Sequence, residues 1–145
     1  MIRFLILTIL VFLPSRGEGE DTGRRRIRFD PDHFGVLYTL YPEVGRVQSV
    51  DVSSDGRILA CGGPLGEVSL FQTRSWSPSG KHVLPVGNIS SIAFAPGSSR
   101  FAVCGLSSNR IYLLDAEKEE SPRVLQGREK AFYDLVWFPD GRRLL

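Results

Sequence analysis

The chain has 145 residues, 42% hydrophobic, 10% aromatic and 23% charged, a balance that excludes disorder throughout. A formal net charge of +2 is too small to argue for nucleic acid or an anionic membrane as partner. Fifteen Gly and nine Pro suit many short strands joined by tight turns.

Residues 1–17 are laid out like a secretory signal peptide. Met1-Ile2-Arg3 is a short basic start, Phe4 to Leu13 is apolar apart from Thr8, and Ser15 and Gly17 are small residues at a cut before Glu18. Arg16 inside the cleavage region departs from that layout, and a buried strand or a wrongly predicted first exon is the alternative. The apolar run is too short for a membrane span. Residues 18–33 form a charged linker, acidic at Glu18, Glu20 and Asp21 and basic at Arg24, Arg25, Arg26 and Arg28. The basic cluster has no interleaved aromatic residue, so a nucleic-acid patch is a weak reading of it.

From residue 34 onward the pattern is that of strands. Phe34 to Tyr41 has strand composition and ends at Pro42. Val47 to Val52 alternates, with Val50 and Val52 on one face and Asp51 on the other, as in a half-buried strand. Asp55-Gly56 is a turn, because both residues tolerate positive φ. Ile58–Cys61 returns, Gly62 to Gly66 turns, and Val68–Phe71 makes a third strand. A polar loop from Gln72 to Lys81 is expected to lead to a fourth strand at His82–Val86. The order then repeats: Ile89–Phe94, a Pro96-Gly97-Ser98-Ser99 turn, Phe101–Cys104, Ile111–Leu114 and Arg123–Gln126. No stretch shows a long 3.6-residue apolar period, so an all-β fold is predicted.

A regular beat runs through these elements. Val50 to Ile92 is 42 positions, Ile92 to Leu135 is 43, and Phe71 to Leu114 is 43. Periods of about 40–45 residues mark propeller blades, one four-stranded sheet per repeat. The predicted fold is a partial β-propeller with two full four-stranded blades, about 47–86 and 89–126, and the start of a third at 132–145. A closed ring needs at least about four blades. The sequence therefore reads as the front part of a larger propeller, the alternative being assembly with other chains. The isolated chain is expected to be poorly soluble or oligomeric, since blades bury their faces only against neighbours.

At these residues the chain resembles the WD-repeat family of β-propellers. Val52-Ser53-Ser54-Asp55-Gly56 and Trp137-Phe138-Pro139-Asp140-Gly141 match its apolar-Ser-Pro-Asp-Gly turn. Leu59-Ala60-Cys61-Gly62-Gly63 and Ala102-Val103-Cys104-Gly105 look like its Leu-Ala-Ser-Gly-Ser strand, and Ile111–Asp115 looks like the strand ending in Trp-Asp. The resemblance covers residues 34–145. It implies an intracellular scaffold that assembles proteins without chemistry of its own, and it implies that Val36–Leu40 completes the last blade as an outer strand. The chain departs from the family where Arg46 and Asn88 follow glycines in place of His. Leu65 and Ser108 stand nearest the place of the buried turn Asp, and Phe71 and Leu114 replace Trp. Apolar packing is therefore expected to hold the strands where the family uses a polar network.

The residues offer little for catalysis. Cys61 and Cys104, 43 positions apart, fall at equivalent places in successive blades. Sheets about 10 Å apart are too distant for a disulfide, so both are expected to be small buried residues. No Cys-x-x-Cys occurs, His33 and His82 stand apart, and Gly62–Gly66 precedes a strand where a phosphate loop would open a helix. No catalytic, metal or cofactor residue is predicted. The expected function is non-catalytic binding of protein or peptide partners through blade loops, with Arg46, Arg57, Trp76, Asn88, Arg110 and Arg128 as contact residues. Neither nucleic acid nor a membrane beyond a cleaved leader is expected. A genuine leader would instead make this a secreted or lumenal propeller binding a glycan or extracellular partner, with Asn88 in Asn88-Ile89-Ser90 as a glycosylation acceptor.

Overall fold

The computed structural model describes residues 7–10, 36–40, 44–128 and 130–145. Two compact units are present, one at Ile6–Tyr41 and one that includes Pro42–Leu145. In the first, β1 (Leu7–Leu10) pairs antiparallel with β2 (Val36–Leu40), Leu7 opposite Leu40 and Ile9 opposite Tyr38. Val36–Leu40 is thus a strand as expected, but it pairs with Leu7–Leu10 where a place beside a blade was expected. Most of the leader-like segment, the charged linker with its basic cluster, and His33 lie outside the described residues.

The second unit holds two four-stranded antiparallel meanders. Blade one is β3 (Ser49–Val52), β4 (Ile58–Gly62), β5 (Glu67–Gln72) and β6 (Ser77–Val83), paired in that order. Blade two is β7 (Ile89–Phe94), β8 (Arg100–Gly105), β9 (Arg110–Asp115) and β10 (Arg123–Gln126). A third unit begins where Trp137 bridges Leu144 and where Val136 and Leu145 exchange backbone hydrogen bonds at 2.8 Å. Phe94 opposite Phe101 and Val52 opposite Leu59 occupy the same register as Trp137 opposite Leu144.

The fourth strand of blade one corrects the expectation for 72–86. The loop is only a tight turn, in which the Trp76 amide donates to the Gln72 carbonyl at 2.7 Å, and the strand already begins at Ser77. Leu84, Pro85 and Val86 lie beyond its end. Ser77–Val83 shows no alternation because it is exposed along almost its whole length, and Pro78 is tolerated because an outer strand need not donate on its free side.

Period-two alternation builds the core. Phe101 and Val103 point toward blade one, joining Ile58, Ala60, Val68, Leu70, Ile89, Ile92 and Phe94 in one buried cluster. Ala102 and Cys104 point the other way, onto Leu135, Trp137 and Leu144. The Phe101 ring sits at the centre of the first cluster, 5.2 Å from Phe94 and 6.2 Å from the His82 imidazole between centroids. Phe71 and Leu114, which stand where the family carries Trp, are buried. The apolar pair of each later copy packs against the blade before it, and this accounts for a second correction. Val50 and Val52, the first copy of that pair, are 47% and 45% exposed, whereas Ile92 and Phe94 are buried.

Candidate functional site

The meander sends alternate turns to opposite ends of the blades. At one end lie the β3–β4, β5–β6, β7–β8 and β9–β10 connections; at the other lie the β4–β5, β6–β7 and β8–β9 connections and the segments at 44–48 and 127–131. Three turns at the first end, the β3–β4 and β7–β8 turns and the equivalent turn of the third copy, follow one design. Asp55, Ser98 and Asp140 each accept, through a side-chain oxygen, the amide two residues on, at 3.0, 3.1 and 2.9 Å. Gly56 follows Asp55, Gly97 precedes Ser98 and Gly141 follows Asp140, at φ +73, +64 and +63, the left-handed region that glycine enters without steric cost. The Ser53 hydroxyl donates to Asp55 at 2.7 Å and holds its carboxyl below the usual carboxylate value, with help from the Arg57 amide. The Ser54 hydroxyl accepts the Gly97 amide at 2.9 Å, so successive turns stack directly.

Three cations at this first end are paired with carboxylates. Arg57 meets Asp55 at 3.5 Å, Lys118 meets Asp115 at 3.7 Å, and Arg143 meets Asp140 at 3.1 Å while its guanidinium lies 4.3 Å from the Phe138 ring centre. Arg57 and Trp76, two of the predicted contacts, belong here on adjoining turns, since Thr73 donates to the Arg57 carbonyl. Trp76 is half-buried and sits at φ +54, closing its turn.

The opposite end differs in chemistry. Among the described residues, segments 44–48, 62–66, 84–88, 106–110 and 127–131 carry Arg46, Arg110, Arg128 and Lys130 and no Asp or Glu. The structure thus collects Arg46, Asn88, Arg110 and Arg128 at one end, all exposed. Arg110 and Arg128 come together in a shallow cleft of about 350 Å³, with Lys130, Ser107, Ser108 and Asn109. The geometry follows from the hairpin: β10 runs back beside β9 with Gln126 opposite Arg110, and the Gly127 amide donates to the Asn109 carbonyl at 2.8 Å. The Ser108 hydroxyl accepts the Arg110 amide at 3.2 Å.

Leu65 and Leu106 add exposed apolar surface to this end. Leu65 is 75% exposed and sits at φ +65 in the Pro64–Gly66 turn. A branched apolar residue in the left-handed region costs about 1–2 kcal/mol, and here no burial offsets it. Sequence reasoning treated Leu65 only as a substitute for the turn Asp and missed Lys130; the Arg128-x-Lys130 spacing was the available signal.

Elsewhere, Cys61 and Cys104 are free and buried, and burial pushes the Cys61 thiol up to about 12. Among the described residues no three His, Cys, Asp or Glu side chains gather as metal ligands would.

Two stacked four-stranded meanders with a third begun, repeating at 42–43 residues around Asp-Gly-type turns, define the class by fold: part of a β-propeller, similar to those of WD-repeat proteins. Among known proteins, the chain is 27% identical over 128 residues to small ribosomal subunit protein RACK1 of Schizosaccharomyces pombe, a match covering 79% of this chain and 38% of that protein. In fold it is similar to the crystal structure of RRP9 WD40 repeats, with a TM-score of 0.59 and 21% identity over 68% of this chain and 31% of that one. The chain therefore spans well under half of either. No family model matches it.

Proposed function

We propose that this chain is a non-catalytic interaction scaffold whose basic loop end docks an acidic segment of a protein partner. The observation that carries the reading is Leu65, a largely exposed apolar side chain held in a disfavoured backbone conformation at the same end of the blades as Arg46, Arg110 and Arg128. Strain of this kind without a packing return is a mark of function. Arg side chains are among the usual energetic anchors of an interface, and an exposed apolar side chain beside them adds surface that a partner can bury. The WD-repeat relatives support the same reading: one of them is named as a component of the small ribosomal subunit. On this account Arg46, Asn88, Arg110 and Arg128 belong to the docking surface, while Arg57 and Trp76 are turn residues of the other end.

Leu65→Gly separates function from folding because its two expected effects have opposite sign. Relief of the left-handed strain is expected to raise stability by about 1 kcal/mol, while partner capture, read by quantitative mass spectrometry of crosslinked complexes, falls. Trp76→Gly is expected to leave capture unchanged. Capture that survives Leu65→Gly and is lost with Trp76→Gly would move the docking surface to the other end.

A further inference from the structure

The geometry points to the cleft between the β8–β9 turn and the segment after β10 as a subsite for a phosphorylated serine or threonine side chain of the partner. This rests on the docking role of the same end and assigns its chemistry. Three cationic side chains, Arg110, Arg128 and Lys130, share the cleft with the hydroxyls of Ser107 and Ser108 and the amide of Asn109. At the other end of the blades Arg57, Lys118 and Arg143 each have a carboxylate within 4 Å. Among the described residues none lies that close to Arg110, Arg128 or Lys130, and Glu129 between the last two is outside them. Three unneutralised cations around one concavity repel each other, and a bound dianion relieves that repulsion. A phosphoryl group brings nearly two charges and three strong acceptor oxygens, which suits two guanidinium forks, an ammonium and hydroxyl donors better than a single carboxylate does.

The lining also argues against a nucleic-acid strand. Single-stranded binding needs aromatic faces for bases and a basic groove that tracks the backbone; this lining has no aromatic residue and forms one short, shallow concavity. The size, about 350 Å³, accommodates one modified side chain and its immediate flanks.

The test uses the full chain and nitrogen-15 NMR titration with four probes: inorganic phosphate, the peptide Ala-Ala-phosphoSer-Ala-Ala, the same peptide with Asp in place of phosphoserine, and an oligouridine. The phosphopeptide is expected to shift the amides of Ser107, Ser108, Asn109, Arg110 and Arg128, with phosphate shifting the same set more weakly. Arg110→Gln with Arg128→Gln should weaken phosphopeptide binding by about tenfold or more, and Arg74→Gln at the opposite end should not change it. The assignment is overturned by an absence of shifts at these amides, by equal binding of the Asp peptide, by tighter binding of oligouridine, or by a double variant that binds as well as the parent. If Leu65→Gly lowers partner capture while the double variant does not, the docking surface stands and the phosphoryl subsite falls.

Discussion

The Ser49 hydroxyl accepts the amide of Ile92, one repeat further along the chain, at 2.9 Å. The relation recurs one blade on, where the Ser91 hydroxyl accepts the amide of Leu135 at 3.2 Å, and beside the first contact the Asp51 carboxylate accepts the Phe94 amide at 2.6 Å. The strand β7 lies at one edge of its sheet, so its outward amides lack a strand partner, and the preceding blade supplies side-chain acceptors for them. An open edge is thereby satisfied without a fifth strand. Further bonds join blade two to the third unit: the Ser91 hydroxyl donates to Asp134 at 2.8 Å, and the Trp137 indole N–H donates to the Ala93 carbonyl at 2.9 Å.

Removing these acceptors leaves buried amides without a partner. Asp51→Ala is expected to destabilise the fold by about 2 kcal/mol and Ser49→Ala by about 1–2 kcal/mol. Ser91→Ala should cost less than Ser49→Ala at the amide it serves, because Leu135 keeps a second acceptor in Asp134 at 2.8 Å. Urea unfolding with a common m-value checks the order.

The turns give a second test, through glycine. Gly56 and Gly97 have nothing within 4 Å of an added Cβ, whereas a Cβ on Gly66 would lie 1.7 Å from the Leu84 carbonyl oxygen, and all three have positive φ. Ala at 56 or 97 is expected to cost about 1 kcal/mol, the backbone term alone. Gly66→Ala is expected to cost several-fold more, because the β4–β5 turn must move away from the Gly66–Leu84 backbone contact. Thermal denaturation of the three variants reads the difference.

These particulars mark how far the sequence was legible. Strand alternation and the Asp55-Gly56 turn placed β3, β4, β5, β7, β8, β9 and β10 where they stand, because turn chemistry and period-two burial are local signals. Ser77–Val83 was hidden since an outermost strand wet on nearly all positions has no alternation to show. Val50 and Val52 were read as inward because alternation tells which residues share a face and not whether a neighbour covers it. Asp51 was placed only on the face opposite Val50 and Val52, and Ser49 and Ser91 drew no reading, because their role depends on the next blade, about 43 positions away. Arg110 and Arg128 were singled out separately, and only the β9–β10 register brings them into one cleft.

Acid should weaken the fold in two steps. Hydrogen bonds from Ser91 and the Leu135 amide hold the Asp134 carboxyl below its usual value, and the Arg142 amide does most to lower that of Asp140. Burial pushes Asp115 up, but Ser99, the Glu117 amide and Lys118 together outweigh it and leave it lowered. Folded carboxyls with depressed values take up protons less readily than unfolded ones, so their contribution is present above about pH 4 and is lost as pH falls below it. His82 is lowered by burial; its neutral form is the one the fold accepts, so stability also declines as pH drops below about 6.5. His82→Gln should remove the upper step and leave the lower one, as followed by urea midpoints from pH 8 to pH 3.

Thiol chemistry should be silent in the native state. Cys61 is fully buried with its thiol raised to about 12, and burial is the main cause that raises Cys104 as well. Neither is expected to react with a thiol reagent at pH 8 until denaturant is added, when both should titrate without prior reduction. One thiol or none in denaturant would contradict two free cysteines.

The central claim is that the 42–43-residue beat is a stack of separate blades, each capping the open edge of the next. Nuclear Overhauser contacts on the full chain test it most directly. Contacts from the Ile92 amide to the Ser49 β-protons and from the Leu135 amide to the Ser91 β-protons are predicted. Their absence, with cross-strand amide contacts joining Ser49–Val52 to Ile89–Phe94 as neighbours in one continuous sheet, would contradict it.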